Sequence, residues 1–328
     1  MSVGTELDQV LEELRQADKL LLTTHENPDG DALGSLLATY MILGLLGKDV
    51  VMFMSENEFP LPWEYRYMPF DGVLHEPPAD LDERTVVFLD CGNIDRMPVD
   101  WLQQEQLHIL NIDHHHDNTR FGTVNLVDGR ASCTAEIVHR IAKELGVEIT
   151  TPIADALYVA LVTDTGRFMY ENTGPEAHRM AAELIEAGVQ PHDVYRRLYE
   201  DLPFARLQLL ARALSRVRRF DEGALTITNL TREDYEETNS IETDSEGVVD
   251  HVRAIEGTAV AGLVRELLAE DRAGTRKVSL RSTDGRVDVS RIARAHGGGG
   301  HRQAAGFSTE EPLDELVETL RREVAEQL

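Results

Sequence analysis

Short apolar runs and helical spacings alternate through the first half of the chain. Residues 5–17 have the spacing of a short amphipathic helix, and the run LLLTT at 20–24 reads as a buried strand. Helical spacing then holds from Gly30 to Leu46, with Gly47 as a stop. Val50–Met54, 85–90 and 107–112 read as further strands. The proline-containing stretch 55–83 reads as a connection. Helices are expected at 132–145, with Ser132 as N-cap, and at 152–163, 175–187 and 191–200. This alternation predicts an α/β unit built on a doubly wound parallel sheet over residues 1–187.

The pattern then changes. Residues 188–212 carry charge and two prolines and read as a partly helical connector. Strands at 217–229, 258–266 and 276–282 follow, separated by the acidic stretch 231–250. A Gly tract at 297–300 and a helix at 312–326 end the chain. Residues 213–328 are therefore expected to form a smaller α+β domain. Two domains also suit 328 residues.

Composition narrows the setting. Cys91 and Cys133 are the only cysteines, which argues against a disulfide framework. No apolar run approaches the roughly 18 residues that span a bilayer. A soluble, cytoplasmic protein without a membrane partner is expected. The net charge is −27, and the cations are 28 Arg but four Lys. Two readings stand: an ordinary acidic protein, or one from a high-salt cytoplasm where self-repulsion is screened. Either way the mean field repels a long polyanion, so any nucleic acid bound should be short.

Acids and histidines gather where apolar runs end. His25, Asp29 and Asp31 lie within seven residues in TTHENPDGDALGS. Asp90 ends VVFLD, Asp113-His114-His115 ends NIDHH, and Asp164 ends the helix-like run before TGRF. In a parallel sheet the loops after strands gather at one edge, where ligands bind. Such a cluster suits two divalent cations about 3.5–4 Å apart, able to activate water and clamp a phosphate. Oxygen and imidazole donors favour manganese, with magnesium or cobalt as substitutes. Competing readings are N-capping by Asp29 or Asp31 and an ion pair between Asp164 and Arg167. Neighbours on an extended segment point opposite ways, so His114 and His115 should differ in job. One division puts His114 on metal and His115 on phosphate, with Asp113 orienting a histidine. Gly297, Gly298, Gly299 and Gly300 can form an anion nest, helped by His301, Arg302 and Arg281; a flexible turn is the alternative.

The motifs DGD, DHH and TDTGRF, in this order, resemble the DHH phosphoesterase superfamily. GGGGHRQAAGF (297–307) resembles the signature of the DHHA1 domain. Together they are similar to the nano-RNase/pAp phosphatase (NrnA-like) group. That resemblance implies His25, Asp29 and Asp90 on one manganese ion and Asp31, Asp90, His114 and Asp164 on the other, with Asp90 bridging and catalytic. It places His115 near the scissile phosphate, as catalytic and substrate-binding. It implies that Arg281, Gly298, Gly299, Gly300 and His301 grip the far nucleotide end. The expected substrates are very short RNA, cut to mononucleotides, and 3′-phosphoadenosine 5′-phosphate (pAp). Alternatives are linear or cyclic dinucleotide signals, a RecJ-like single-strand exonuclease, or a non-catalytic nucleotide-binding regulator. A homodimer is among the assemblies the resemblance allows. Cys133 stands where relatives often have Ser.

Overall fold

The computed structural model describes residues 3–328 except Pro98, Glu105 and Asp284, and the backbone alone of His301. The chain divides into two units, Met1–Asp201 and Leu202–Leu328.

The first unit runs α1 (Val3–Gln16), β1 (Lys19–Thr23), α2 (Gly30–Leu45), β2 (Asp49–Met52), β3 (Thr85–Leu89), β4 (Ile109–Asp113), β5 (Val124–Val127), α3 (Thr134–Glu144), α4 (Thr151–Asp164), α5 (Pro175–Glu186) and α6 (Pro191–Tyr199), with short 3₁₀ turns between. Its five strands are all parallel in the order β2-β1-β3-β4-β5. Strand periodicity sorts the side chains. Leu20, Leu22, Val87, Leu89, Leu110 and Ile112 face a large cluster built with the α-helices. Leu21, Val86, Phe88 and Ile109 face a smaller one, closed by Met97, Leu102 and Trp101. Each fully buried Leu or Phe contributes about 1.5–3 kcal/mol. The order reverses between β1 and β3, and open α/β sheets bind ligands at such a reversal.

Helices α2 and α4 pack unusually closely. A Cβ on Gly34 would lie 2.4 Å from the Ala156 carbonyl oxygen and 2.8 Å from Ala160 Cβ. Only glycine allows that approach. It brings the start of α2 beside the end of α4, where Thr163 meets Gly30.

The second unit contains α7 (Phe204–Ser215), β6 (Arg218–Phe220), β7 (Leu225–Leu230), α8 (Arg232–Thr238), α9 (Val248–Arg253), β8 (Val260–Glu266), β9 (Arg276–Ser282), α10 (Val289–Ala295), β10 (Gly299–His301), β11 (Ala304–Thr309) and α11 (Leu313–Ala325). Its mixed sheet has the order β10-β11-β9-β8-β7-β6, with only β7 and β8 parallel. One face packs on α10 and α11 through Ile292, Leu316 and Leu320. The other packs on α7, α8 and α9 through Leu209, Tyr235 and Val252.

Several expectations shift. The connector at 188–212 is two helices, α6 in the first unit and α7 in the second. The acidic stretch 231–250 folds as α8 and α9, because its acids alternate with apolar positions such as Tyr235 and Val249 that are buried. Strand β5 fell outside the predicted elements; at four residues it carries too short an apolar run. Ser132 is not the cap of α3: Cys133 holds that position with no side-chain bond, and Ser132 Oγ instead donates to Glu136 at 2.6 Å. Among the described residues no helix is long and apolar enough to cross a membrane.

Candidate metal centre

Four segments deliver the side chains to one place. After β1 the chain turns through Asn27, at φ 51°. His25 is buried, its Nδ1 between the Glu26 carbonyl oxygen (2.7 Å) and the Arg96 guanidinium (3.1 Å). That fixes the ring with Nε2 3.7 Å from Asp90 Oδ2. Asp29 is indeed the N-cap of α2: its Oδ1 accepts from the amides of Asp31 (3.0 Å) and Ala32 (3.1 Å). Capping uses one oxygen and leaves Oδ2 for a cation.

Asp31, in the first turn of α2, is buried and caps a different helix. Its Oδ2 accepts from the amide of Thr134 at 2.6 Å, and its Oδ1 from that of Ala135 at 3.0 Å and from Ser35 Oγ at 3.1 Å. This carboxylate replaces the missing side-chain cap of α3, where unpaired amides and the helix dipole favour negative charge.

Asp90 follows β3 at φ 57°, a strained region for a residue with a Cβ and one that recurs at functional sites. Its two oxygens face different ways. Oδ2 is towards His25; Oδ1 is 3.7 Å from His114 Nε2 and accepts from Thr134 Oγ1 at 2.9 Å. Asp113 ends β4. Its Oδ1 accepts from the His114 amide (2.9 Å) and pairs with His115 Nδ1 (2.8 Å), while Asn118 donates to its Oδ2 at 2.6 Å. Asp164 ends α4, with Oδ2 3.7 Å from His114 Nε2 and accepting from Asn172 at 3.1 Å. Among the described residues no ion pair joins it to Arg167.

Three sets of potential ligand atoms therefore lie within 4.8 Å of one another: His25, Asp29 and Asp90; Asp31, His114 and Asp164; and Asp90, His114 and His115. The electrostatics are those of a site short of positive charge. Burial, then the charges of Asp90, Asp164 and Asp29, hold Asp31 well above the usual carboxylate range. Burial likewise carries Asp164 up to about 7, with Asp90 and Asp29 adding to it against His114. Burial alone would raise Asp90, but the His25 imidazole beside it and the charges of His115 and His114 outweigh it and lower it. Burial opposes a charged His115, yet its bond to Asp113 and the charge of Asp90 carry it up to about 9. Divalent cations fit this place: they supply the missing charge, and carboxylate with imidazole is a donor set they accept.

The Gly tract differs from the expected nest. Gly297 (φ 75°) donates its amide to Arg294 at 3.2 Å and Gly298 to Ala293 at 2.8 Å. These bonds form a Schellman cap on α10, so the amide of Gly298 is already used. Gly298 also packs against Gly306 and Phe307 too closely for a Cβ. Gly299 and Gly300 belong to β10. Arg281, on β9, has Nε 3.7 Å from Asp250 Oδ1. The side chain of His301 lies outside the described residues.

Thr134, Asn118, Asn172 and Arg96 hold the site, and nothing in the sequence ties them to it. Each is an ordinary polar residue whose partner is remote or across a turn. Thr134 alone stood out in principle, as a hydroxyl at the start of a helix.

Comparison with known proteins supplies the family. Residues 19–161 match the DHH family, N-terminal domain, and residues 235–326 match the DHHA1 domain. The bifunctional oligoribonuclease and PAP phosphatase NrnA of Thermus thermophilus is 36% identical over 315 residues, 94% of this chain and 90% of that one. The protein of the same description from Bacillus subtilis is 26% identical, over 89% of each. The crystal structure of an exopolyphosphatase-related protein from Bacteroides fragilis superposes with a TM-score of 0.87 at 25% identity, covering 98% of this chain and 96% of that one. With both domain matches in order and a relative that similar along nearly its whole length, the chain belongs to the DHH phosphoesterases that carry a DHHA1 domain, and it is a hydrolase.

Proposed function

We propose that the protein is a manganese-dependent phosphodiesterase that cuts very short RNA to mononucleotides and also removes phosphate from pAp. The observation that carries the metal part is the splayed Asp90 carboxylate, one oxygen towards His25 and the other towards His114. His25, Asp29 and Asp90 would hold one cation, and Asp31, Asp90, His114 and Asp164 the other. The chemistry such cations supply is charge neutralisation at a phosphoryl group and a water acidic enough to act near neutral pH. His115 has its Nδ1 taken by Asp113, whose carboxylate favours the charged form of the ring. It can therefore donate from Nε2 to a phosphoryl oxygen as charge develops there. Asp31 and Asp90 are held in place by α3 and Thr134, so they need not reorganise as substrate arrives.

The substrates rest on two supports. The relatives are named as oligoribonucleases and PAP phosphatases, and a net charge of −27 disfavours long polyanions. In the second unit Arg281, Gly299, Gly300 and His301 are the proposed contacts to substrate. The test is a product time course on labelled two- to seven-residue RNA, a fifty-nucleotide RNA and pAp, with manganese. Short RNA and pAp should turn over and the long RNA should lag. Equal rates per end on long and short RNA would reject the oligoribonuclease reading in favour of a RecJ-like one. Asp90→Ala should lose both cations by elemental analysis; retention of two would reject the bridge.

A further inference from the structure

Beyond Asp164 the chain makes a turn that the metal ligands do not require. Gly166 donates to Thr163 at 3.1 Å and Arg167 to Val162 at 2.7 Å, the Schellman close of α4. The backbone then stays left-handed for two residues with side chains, Arg167 at φ 64° and Phe168 at φ 65°. That region is unfavourable for them and recurs where a site fixes the backbone. Phe168 stacks on His178 at 5.0 Å and packs against the core. Arg167 is left exposed.

The Arg167 guanidinium lies over the ring of Tyr199, 5.1 Å from its centre. Among the described residues it forms no ion pair, whereas Arg84, Arg216 and Arg321 are each tied to carboxylates. Around it is a pocket of about 220 Å³, whose walls include Tyr65, Tyr170, Tyr199, Thr163 and Glu64. The ring of Tyr170 rests against Gly166, where a Cβ would come within 2.5 Å of it, yet the residue is 56% exposed. Thr163 and Gly166 flank Asp164, and Thr163 touches Gly30, which separates Asp29 from Asp31. Pocket and candidate metal centre share this wall.

We propose that this pocket is a nucleobase subsite. The base of a nucleotide whose phosphate lies at the metal centre stacks on the Arg167 guanidinium, which Tyr199 backs, and on the open face of Tyr170. The proposal rests on the oligonucleotide reading above. A base suits the pocket better than a second phosphate does. The exposed Tyr170 ring and the Arg167 guanidinium over Tyr199 make stacking platforms for a flat base. Arg167 and Tyr170 are both exposed, so neither is needed to fill the core. Because every base has a flat face, the subsite should tolerate all four.

The test compares wild type, Arg167→Ala and Tyr170→Ala, loaded with manganese, on a diribonucleotide and on the same molecule with either base removed. Each variant should lose roughly 5–150-fold in kcat/KM on the intact dinucleotide, the factor that corresponds to about 1–3 kcal/mol of stacking. Removing the base at one position should cost wild type a similar factor, and the variants should lose nothing more on that base-free substrate. Manganese content should be unchanged in both variants. Equal loss on intact and base-free substrates, or no loss on either, overturns the subsite. If wild type cleaves no dinucleotide, the functional reading fails, and binding of AMP against ribose 5-phosphate decides the pocket separately. Preference for AMP that Arg167→Ala abolishes supports it; equal affinity of wild type for both overturns it.

Discussion

Replacing Thr134 by Val tests whether the surroundings of Asp90 set metal affinity. The two side chains are nearly the same shape, so the change exchanges one hydroxyl for a methyl. Thr134 is fully buried, and its Oγ1 donates to Asp90 Oδ1 at 2.9 Å. Its amide, which holds Asp31, is untouched. The variant therefore removes one hydrogen bond to a charged group, worth about 1.5–3 kcal/mol, and frees a carboxylate oxygen to rotate. Loss of a partner that orients a metal ligand typically weakens binding about 10–100-fold. Titrating metal-free protein with manganese against a fluorescent chelator should show a loss of that size in Thr134→Val and near-complete recovery in Thr134→Ser. Melting the metal-free forms separates this from a general loss of stability. Unchanged manganese affinity in the Val variant, with two ions still bound, would refute the reasoning that Thr134 positions Asp90.

Gly34→Ala should push α2 from α4, lowering the melting temperature by ~2–12 °C, since overpacking costs about 1–3 kcal/mol; an unchanged melting curve and unchanged manganese affinity would mean that the contact yields freely. Asp234 is buried; although burial raises its pKa, the bond from Arg216 and those from Thr231 lower it to about 2. Its folded value lies below the ordinary carboxylate value, so its contribution is complete above about pH 4 and is lost as pH falls towards 2. It should amount to on the order of 2 kcal/mol, and Asp234→Asn should flatten the acid limb of stability against pH; an identical limb would remove the assignment. With a net charge of −27, potassium chloride should raise the melting temperature by screening self-repulsion; a flat or falling response up to molar salt would count against the high-salt reading.

The parts of the fold that could be read in advance were those with strong local patterning. LLLTT and VVFLD announced β1 and β3, and the acids that follow them marked the edge at which they stand. The ligand candidates were legible because aspartate and histidine at the ends of apolar runs need a partner. What escaped was set by distance along the chain. Thr134 meets Asp90 from 44 residues away, and nothing near either residue announces it. The Gly tract was only partly legible, for the opposite reason. Four glycines permit many conformations, and the use made of Gly297 and Gly298 depends on how α10 ends and how tightly β11 passes. Asp29 shows two readings holding together, since its capping of α2 leaves an oxygen for a cation.

The cap of α3 has a consequence for the order in which the chain assembles. Its first amides find no local side-chain acceptor and are satisfied by Asp31, 103 residues earlier. Closing so large a loop is slow compared with forming a helix or a hairpin. During synthesis α2 emerges long before α3 exists. Until α3 docks, Asp31 lacks its two amide donors and Asp90 lacks its threonine. Neither ligand set is fully held before residue 134 has left the ribosome, and the set with Asp31, His114 and Asp164 also waits for residue 164. Competence to bind a second ion would then report that α3 and α4 have docked on the sheet.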